Sequence, residues 1–323
     1  MSGFNYLLLI PAGFAVLLFL LLLAALARRT RNEEPEPADA HPAANPEPSP
    51  ATAASPPTVA PTGPFIERPP FEPWRLVERL LANPDSAGGP LYRLCFAGEF
   101  GVMPQWQPGA IAHIYCGPAR EHASGPAPIG ESMSGSLPSD GLLDIVVRLT
   151  RSDDPSEGRR SRFLCEQIRP GDLVAIALRD EPGFMPPSAT VPMILIGNAT
   201  GIAGLHAHLR ARPAGTRNWL IYGDSNSPGD RALAAEITDW VSTGHLARCD
   251  LVLPGEGQEK RLVVDQIEDA QAPLIDWMLA GSAIYVCGSK AMGDDVDAAL
   301  VRLLGGEALE AMVEAGLYRR SIY

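Results

Sequence analysis

The sequence predicts a protein of mixed class, with an antiparallel β-barrel followed by a doubly wound parallel α/β sheet and preceded by one transmembrane helix. Three observations support this prediction. Short β-like runs separated by Gly, Pro, Ser and Asp clusters fill the middle of the chain. From Pro192 onward, continuous apolar strands alternate with helices. The N-terminal region holds a long apolar run without charge.

The apolar run covers residues 6–27, which are 22 residues without a charged side chain. As a helix it would be ~33 Å long, enough for a hydrocarbon core of ~30 Å. Arg28, Arg29 and Arg31 follow it, so the positive-inside rule places the rest of the chain in the cytoplasm. We therefore predict that residues 1–31 are a single-pass anchor in the inner (cytoplasmic) membrane. A cleaved signal peptide is the alternative interpretation.

Residues 32–73 contain 13 of the 32 prolines, and Ala, Glu, Ser and Thr occupy most of the remaining positions. A segment of this composition buries too little apolar surface to offset the entropy lost on ordering. Proline also favours extended conformations. We therefore predict a disordered linker that holds the folded part away from the membrane.

Two folded domains are predicted after the linker, at residues 74–190 and 191–323. The first begins with an amphipathic stretch at 74–81 and continues with β-like runs at 91–97, 111–116, 142–150 and 173–179, and a brief helix at 161–168. The second alternates strands at 193–197, 219–223, 249–253 and 283–288 with helices at 202–212, 231–242, 264–279 and 291–304. The first pattern is typical of a small barrel and the second of a parallel sheet covered on both faces.

Composition excludes several classes of function. The formal net charge of −12 leaves no broad basic surface for nucleic acid. The five cysteines are scattered, without a CxxC pair, which indicates reduced thiols rather than disulfides or a structural zinc. His206 and His208 are two residues apart on a predicted helix and so point to different faces. We therefore predict no metal site.

A glycine-rich turn links the first strand of the second domain to its helix. It reads Gly197-Asn198-Ala199-Thr200-Gly201-Ile202-Ala203-Gly204. Glycines at this position let backbone amides at a helix N-terminus approach a pyrophosphate, whose charge the helix dipole favours. On spacing alone, a simple tight turn explains the pattern equally well.

The turn closely resembles the nucleotide-binding turn of the ferredoxin-NADP reductase superfamily, Gly-x-Gly-Thr-Gly-Ile-Ala. More narrowly, residues 90–323 are similar to the reductase half of the sulfite reductase flavoprotein and of related diflavin reductases. The other matching stretches are Trp106-Gln107-Pro108-Gly109, Leu137-Pro138-Ser139-Asp140-Gly141, Gly183-Phe184-Met185-Pro186-Pro187, Ile284-Tyr285-Val286-Cys287-Gly288-Ser289 and Tyr318-Arg319-Arg320-Ser321-Ile322-Tyr323. The flavodoxin-like domain and the helical connecting insert of the longest members are absent from this sequence.

The resemblance implies an FAD-type barrel, an NADPH or NADH domain, and specific site residues. It implies that the FAD pyrophosphate is held at Gly158, Arg159, Arg160 and Ser161, although a solvated basic turn is an equal alternative. It implies that Tyr323 lies against the isoalloxazine and that Cys287 lies near the nicotinamide as the catalytic residue. Without the resemblance, Cys287 would be a buried thiol at a strand end. The remaining implied nucleotide ligands are Gly197, Asn198, Thr200, Gly201, Gly288, Lys260 and Arg261.

Several family residues are missing. The flavin signature Arg-x-Tyr-Ser aligns with Gly130-Glu131-Ser132-Met133, so its arginine, stacking tyrosine and serine are all replaced. The adenine-stacking tyrosine of the 2′-phosphate site has become Leu262, and the acidic residue near Cys287 aligns with Ser321. The second glycine of the turn is Ala199.

Two functions remain open on this sequence. The first is an oxidoreductase that passes electrons from NAD(P)H through FAD to an acceptor such as a flavodoxin-like or haem protein. The second is a pseudoreductase, in which the retained fold is a membrane-tethered interaction or nucleotide-sensing module. The replaced residues favour the second function, whereas the retained nucleotide turn, residues 158–161 and Cys287 favour the first. We predict the first, with the second as its alternative.

Overall fold

The computed structural model describes residues 71–84, 89–99, 101–117, 129–150, 155–223, 233–252 and 261–323. The predicted transmembrane helix and all but the last residues of the predicted linker lie outside these ranges, so both stay predictions. Among the described residues, no helix is both long enough and apolar enough to cross a bilayer.

The first sheet is antiparallel and has six strands in the order β4-β3-β6-β1-β2-β5. The strands are β1 (Glu72–Leu81), β2 (Leu91–Gly98), β3 (Ile111–Tyr115), β4 (Ile129–Met133), β5 (Leu142–Arg148) and β6 (Leu173–Arg179). A bridge between Ser134 and Ile145 joins the two edges of the sheet, so the strands close on themselves. Trp74, Leu76 and Phe96 are among the side chains that fill the interior.

Strand β1 corresponds to the predicted amphipathic stretch. Trp74 and Leu76 point into the core, and a bulge between Leu76 and Glu78 then leaves Val77 half exposed. The bulge shifts the side-chain alternation, which explains why the pattern of this stretch is not a clean strand pattern. The strand begins at Glu72, so the predicted linker extended two residues too far.

The connection between β5 and β6 contains α1 (Pro155–Arg162), which continues into a π-helical turn at Phe163–Gln167. The predicted brief helix at 161–168 therefore captured only the second half of this element. Leu164 and Cys165 are buried in the turn, whereas α1 itself is strongly polar. The low apolar content of α1 explains why periodicity did not reveal it.

The second sheet is parallel and has the order β11-β10-β7-β8-β9. Its strands are β7 (Met193–Asn198), β8 (Asn218–Gly223), β9 (Arg248–Val252), β10 (Ala283–Gly288) and β11 (Tyr318–Ile322). The helices are α2 (Ile202–Ala211), α3 (Ala234–Ser242), α4 (Val263–Asp269), α5 (Gln271–Leu279), α6 (Lys290–Leu304) and α7 (Gly306–Glu314). The predicted combination of an antiparallel sheet with a parallel α/β sheet is confirmed.

The two sheets pack directly on each other. Leu91 and Val146 of the first sheet belong to the same buried cluster as the strands of the second. Arg210, near the end of α2, forms two hydrogen bonds of 2.7 Å to the carboxylate of Asp140. The Tyr285 hydroxyl donates to the Met185 carbonyl at 2.5 Å. These contacts fix the junction at which the predicted site residues meet.

Candidate functional site

The chain at the end of β7 and in the turn after it lies so close to the carboxyl end of β10 that no side chain fits between them. An ideal Cβ on Gly201 would lie 2.1 Å from the Cys287 carbonyl oxygen, and one on Gly197 would lie 2.7 Å from the same atom. Gly288 has a φ of +147°, which L side chains rarely adopt. The glycines therefore let two backbone turns meet at the N-terminal end of α2.

Asn198 ties these two turns together. Its Oδ1 accepts a hydrogen bond of 2.9 Å from the Ser289 amide, and its Nδ2 donates to the Ser289 hydroxyl at 3.0 Å. The side chain of Asn198 therefore positions both turns. The sequence predicts Asn198 as a nucleotide ligand, and the structure shows that its side chain also links the two turns through Ser289.

Ala199 occupies a left-handed conformation, with a φ of +49°. An L side chain is strained there, which explains why the family motif has glycine at this position. The Tyr222 hydroxyl holds the strained turn by donating to the Ala199 carbonyl at 2.9 Å. The replacement is accommodated, at a cost in conformational energy.

We expect Ala199→Gly to stabilise the protein by about 0.5–1 kcal/mol, because glycine removes the left-handed strain at some entropic cost in the unfolded chain. Urea denaturation of the purified protein measures the change. Ala298→Gly is the matched control, since Ala298 is exposed in the interior of α6. That variant should lose about 1 kcal/mol. A loss of stability in both variants would contradict strain at Ala199.

A cavity of about 520 Å³ lies where the barrel meets the nucleotide turn and the end of β10. The barrel side of its lining comes from β3, β4 and the end of β5, and the other side from the nucleotide turn and the chain terminus. The lining residues are Ile111, Glu131, Ser132, Met133, Val146, Val147, Arg148, Thr150, Ala199, Thr200, Ser289, Ser321, Ile322 and Tyr323. Its volume lies in the range of cavities that bind small molecules and cofactors.

The degenerate signature lies on the barrel wall of this cavity. Glu131, Ser132 and Met133 are lining residues, and none is an aromatic side chain that could stack on a ring. An ideal Cβ on Gly130 would lie 3.8 Å from Cβ and 3.9 Å from Cδ of Arg160. The stem of Arg160, on α1, thus lies against the place where the family arginine begins.

The predicted pyrophosphate segment is within α1 rather than at its start. Ser161 is buried, and its hydroxyl accepts a hydrogen bond of 3.0 Å from the Thr150 amide. Ser161 therefore anchors the helix to the strand end, whereas Arg159 and Arg160 are the charged groups of the segment. Gly158 lies in the same helix, and an ideal Cβ on it would lie 3.3 Å from the Thr150 carbonyl oxygen.

Arg148 lines the cavity at the end of β5, and sequence analysis missed it. The available signal was a basic residue at a strand end next to α1.

Cys287 is fully buried at the end of β10, and it is not a lining residue of the cavity. Its sulfur lies 3.1 Å from the sulfur of Met133, which also packs on Gly204. Burial raises the pKa of the Cys287 thiol well above its ordinary value, so the group is a neutral thiol. Met133, at the place of the family serine, therefore separates Cys287 from the cavity.

Tyr323 and Ser321 approach the same region from β11. Ser321 is the register partner of Cys287, so a hydroxyl stands beside the thiol where the family has a carboxylate. The Tyr323 hydroxyl and the Thr200 hydroxyl are joined by a hydrogen bond of 2.5 Å. Tyr323 thereby forms one wall of the cavity, in contact with the nucleotide turn.

A second cavity, of about 270 Å³, lies on the other side of the nucleotide turn. Arg261 and Leu262 line it together with Asn198 and Ser289. Arg261 is paired with Asp269 at 2.5 Å, so its charge is partly neutralised. Lys260 lies outside the described residues. Within the described part of the chain, no group of three or more His, Cys, Asp or Glu side chains could hold a metal ion.

Comparison with known proteins finds sequence similarity to the flavoprotein component of sulfite reductases. No model of a protein family matches it. The flavoprotein alpha-component of the NADPH sulfite reductase of Neisseria meningitidis serogroup B is 30% identical over 193 residues, covering 55% of this chain and 32% of the relative. The corresponding protein of Mannheimia succiniciproducens is 29% identical over 216 residues, covering 62% and 35%. The chain thus matches about a third of the length of these curated relatives.

Comparison of structures gives the fold. Ferredoxin-NADP+ reductase from Plasmodium falciparum has a TM-score of 0.61 and 13% sequence identity, and the match covers 78% of this chain and 96% of that one. A mutant of the same enzyme, solved with 2′P-AMP, has a TM-score of 0.62 and 14% identity. The chain therefore has the ferredoxin-NADP reductase fold, and the resemblance to the reductase half of sulfite reductase flavoproteins that its motifs predict is confirmed.

Proposed function

We propose that this protein is a membrane-anchored oxidoreductase that passes electrons from NADPH or NADH through FAD to a separate acceptor. The observation that carries the proposal is the cavity of about 520 Å³ bounded by the barrel, the nucleotide turn and Tyr323. Relatives of the chain are named as NADPH flavoproteins, and a structural neighbour was solved with 2′P-AMP. The predicted anchor at residues 1–31 would place the protein at the cytoplasmic face of the inner membrane.

The nucleotide turn fits a dinucleotide. Gly197 and Gly201 have no side chains to cover the turn, so backbone amides at the start of α2 remain open to a pyrophosphate. Arg261, at the second cavity, supplies positive charge for a ribose phosphate once it leaves Asp269. Thr200 touches the first cavity and therefore links the nucleotide side to the barrel side.

The barrel side offers FAD a basic side chain and an aromatic wall. Arg148 lines the cavity, where its guanidinium would neutralise a diphosphate, and the stem of Arg160 packs beside Gly130 on β4. Tyr323 offers an aromatic ring on the opposite wall. Bound flavin would supply the conversion of two-electron transfer into single-electron transfer. The protein contributes positioning, water exclusion and charge, and a flavodoxin-like or haem protein would be the acceptor.

A specific observation favours a pseudoreductase as the second candidate. Met133 fills the space in front of Cys287, and its sulfur lies 3.1 Å from that thiol. Neither a stacking aromatic nor an arginine occupies the signature on β4. In this alternative, the nucleotide turn binds a dinucleotide as a signal, and the barrel serves as an interaction module at the membrane.

The visible spectrum of the purified full-length protein separates the two functions. The oxidoreductase should be yellow or take up FAD to about one equivalent, and NADPH or NADH should bleach the flavin bands under anaerobic conditions. Comparing the two nucleotides assigns the preference. A protein that stays colourless after incubation with excess FAD would overturn the oxidoreductase and support the pseudoreductase.

A further inference from the structure

The cavity of about 270 Å³ beside the nucleotide turn lies at the carboxyl ends of two neighbouring strands. Asn198 and Ala199 line it where β7 ends, and Gly223 lines it where β8 ends. The two strands are parallel, and Asn198 is the register partner of Gly223. When a dinucleotide binds such a turn through its pyrophosphate, its adenosine ribose lies at the end of the adjacent strand. The cavity is therefore the place for this ribose, a step that rests on the nucleotide binding of the proposed function.

Helices α4 and α6 complete the lining of this cavity. An ideal Cβ on Gly223 would lie 2.7 Å from Cγ2 of Val263, so the start of α4 packs directly on the end of β8. The described lining has two charged residues, Arg261 before α4 and Asp295 in the second turn of α6. Its other described residues are uncharged, and most of them are apolar. Recognition of a polar ligand in this cavity therefore depends mainly on these two charges.

The two charged groups differ in how they are engaged. Arg261 donates from Nη2 to the Asp269 carboxylate at 2.5 Å, so a ligand would have to compete with Asp269 for the guanidinium. The side chain of Asp295 is exposed, and it makes no hydrogen bond or ion pair with any other described residue. The carboxylate of Asp295 is therefore the charge that a ligand can reach without displacing a protein group.

The connections that follow β8 and β9 lie outside the described ranges, and their sequence adds no excess of positive charge. Residues 224–232 hold two aspartates and one arginine, and residues 253–260 hold two glutamates and one lysine. A phosphate monoester carries nearly two negative charges at neutral pH, and proteins bind it with arginine and lysine. A ribose diol instead donates hydrogen bonds, which a carboxylate accepts. The charges around this ribose position therefore suit free hydroxyls better than a phosphate.

We propose that this cavity selects NADH, whose adenosine ribose has a free 2′-hydroxyl, over the 2′-phosphorylated NADPH. Asp295 would accept hydrogen bonds from the ribose hydroxyls. A 2′-phosphate would meet the negative charge of Asp295, and it would have to displace Asp269 from Arg261. Asp295 is then the residue that determines nucleotide specificity. The selectivity is opposite to the one in the name of the NADPH sulfite reductase relatives.

Calorimetric titration of the full-length protein with ADP-ribose and with 2′-phospho-ADP-ribose tests this inference. Both compounds lack the nicotinamide ring, so their binding is measured without hydride transfer and whether or not FAD is bound. At equal ionic strength, ADP-ribose should bind at least about tenfold more tightly, because the phosphate faces a like charge and competes for a paired arginine.

The possible results separate this inference from the proposed function. Equal binding of the two compounds, or tighter binding of the phosphorylated one, would overturn the selectivity and leave an NADPH-dependent oxidoreductase intact. A protein that takes up no FAD but keeps the tenfold preference would overturn the oxidoreductase alone. Absence of binding of both compounds would overturn the nucleotide site and the selectivity together.

Two variants of α6 localise the selectivity. Asp295→Asn should reduce the preference for ADP-ribose to about threefold or less, mainly by tightening the binding of the phosphorylated compound. Asp294→Asn is the matched control, because it makes the same charge change one residue away. Asp294 is paired with Lys290 at 2.6 Å and does not line the cavity, so the preference should stay unchanged. An unchanged preference in Asp295→Asn, or an equal change in both variants, would overturn the role of Asp295.

Discussion

Gly201→Ala is expected to destabilise the protein by about 3 kcal/mol, at the upper end of the usual cost of overpacking. The added methyl would lie 2.1 Å from the Cys287 carbonyl oxygen and 2.4 Å from its carbonyl carbon. These are backbone atoms of the neighbouring strand, so no side chain can rotate away to relieve the contact. Thermal denaturation should show a midpoint lower by roughly 6–12 °C. Separating β10 from the turn should also abolish binding of NADPH and NADH.

Gly306→Ala is the matched control for this substitution. Gly306 begins α7, and the position of its Cβ has no atom within 4 Å. The same methyl group should therefore change stability by less than about 0.5 kcal/mol and leave nucleotide binding unchanged. If Gly201→Ala behaved like Gly306→Ala, the close approach of Gly201 to the Cys287 carbonyl would be incorrect.

Met133→Ala is expected to cost about 2–4 kcal/mol, because it removes a buried side chain from the junction of the two sheets. The exposed fraction of Met133 is 6%, and its sulfur packs on both Cys287 and Gly204. The variant should also open Cys287 to the cavity. Alkylation of Cys287, followed by peptide mass spectrometry, should accelerate several-fold relative to the unchanged protein.

Met312→Ala separates access from general loss of stability. Met312 is 1% exposed in α7, and it belongs to the same buried cluster as Met133. Truncating it should cost a similar free energy of unfolding, about 2–4 kcal/mol, without uncovering Cys287. Equal acceleration of Cys287 alkylation in both variants would show that unfolding, and not the position of Met133, controls access to the thiol.

The parallel sheet was predictable from the sequence for a local reason. Strands β7, β8 and β10 are buried along their whole length, so each is a continuous apolar run between glycine-rich turns, which periodicity identifies well. Predicted and observed bounds of these strands agree to within one residue. The predicted helix at 264–279 is divided at Ala270 into α4 and α5. Pro273 explains the break, because it lacks the N–H that would continue α4 and is tolerated in the first turn of α5.

Three elements of the fold escaped prediction because long-range pairing defines them. Strand β4 reads Ile-Gly-Glu-Ser-Met, which has little β propensity, and its pairing with β3 makes it a strand. Strand β11 carries two arginines and forms by parallel pairing with β10. Helix α7 begins with glycine and is short, so its packing under β11 rather than its start signal defines it.

The sequence alone determined the order of the two sheets, the nucleotide turn and the loss of the flavin signature, because each depends only on residues that are consecutive in the chain. Tertiary structure decided what those changes mean for the site. The contact of Met133 with Cys287, the approach of Arg160 to Gly130, and the bond between Thr200 and Tyr323 each join residues that are far apart in the chain. Local pattern reports the propensity of a segment, whereas burial and contact depend on what the rest of the chain places beside it.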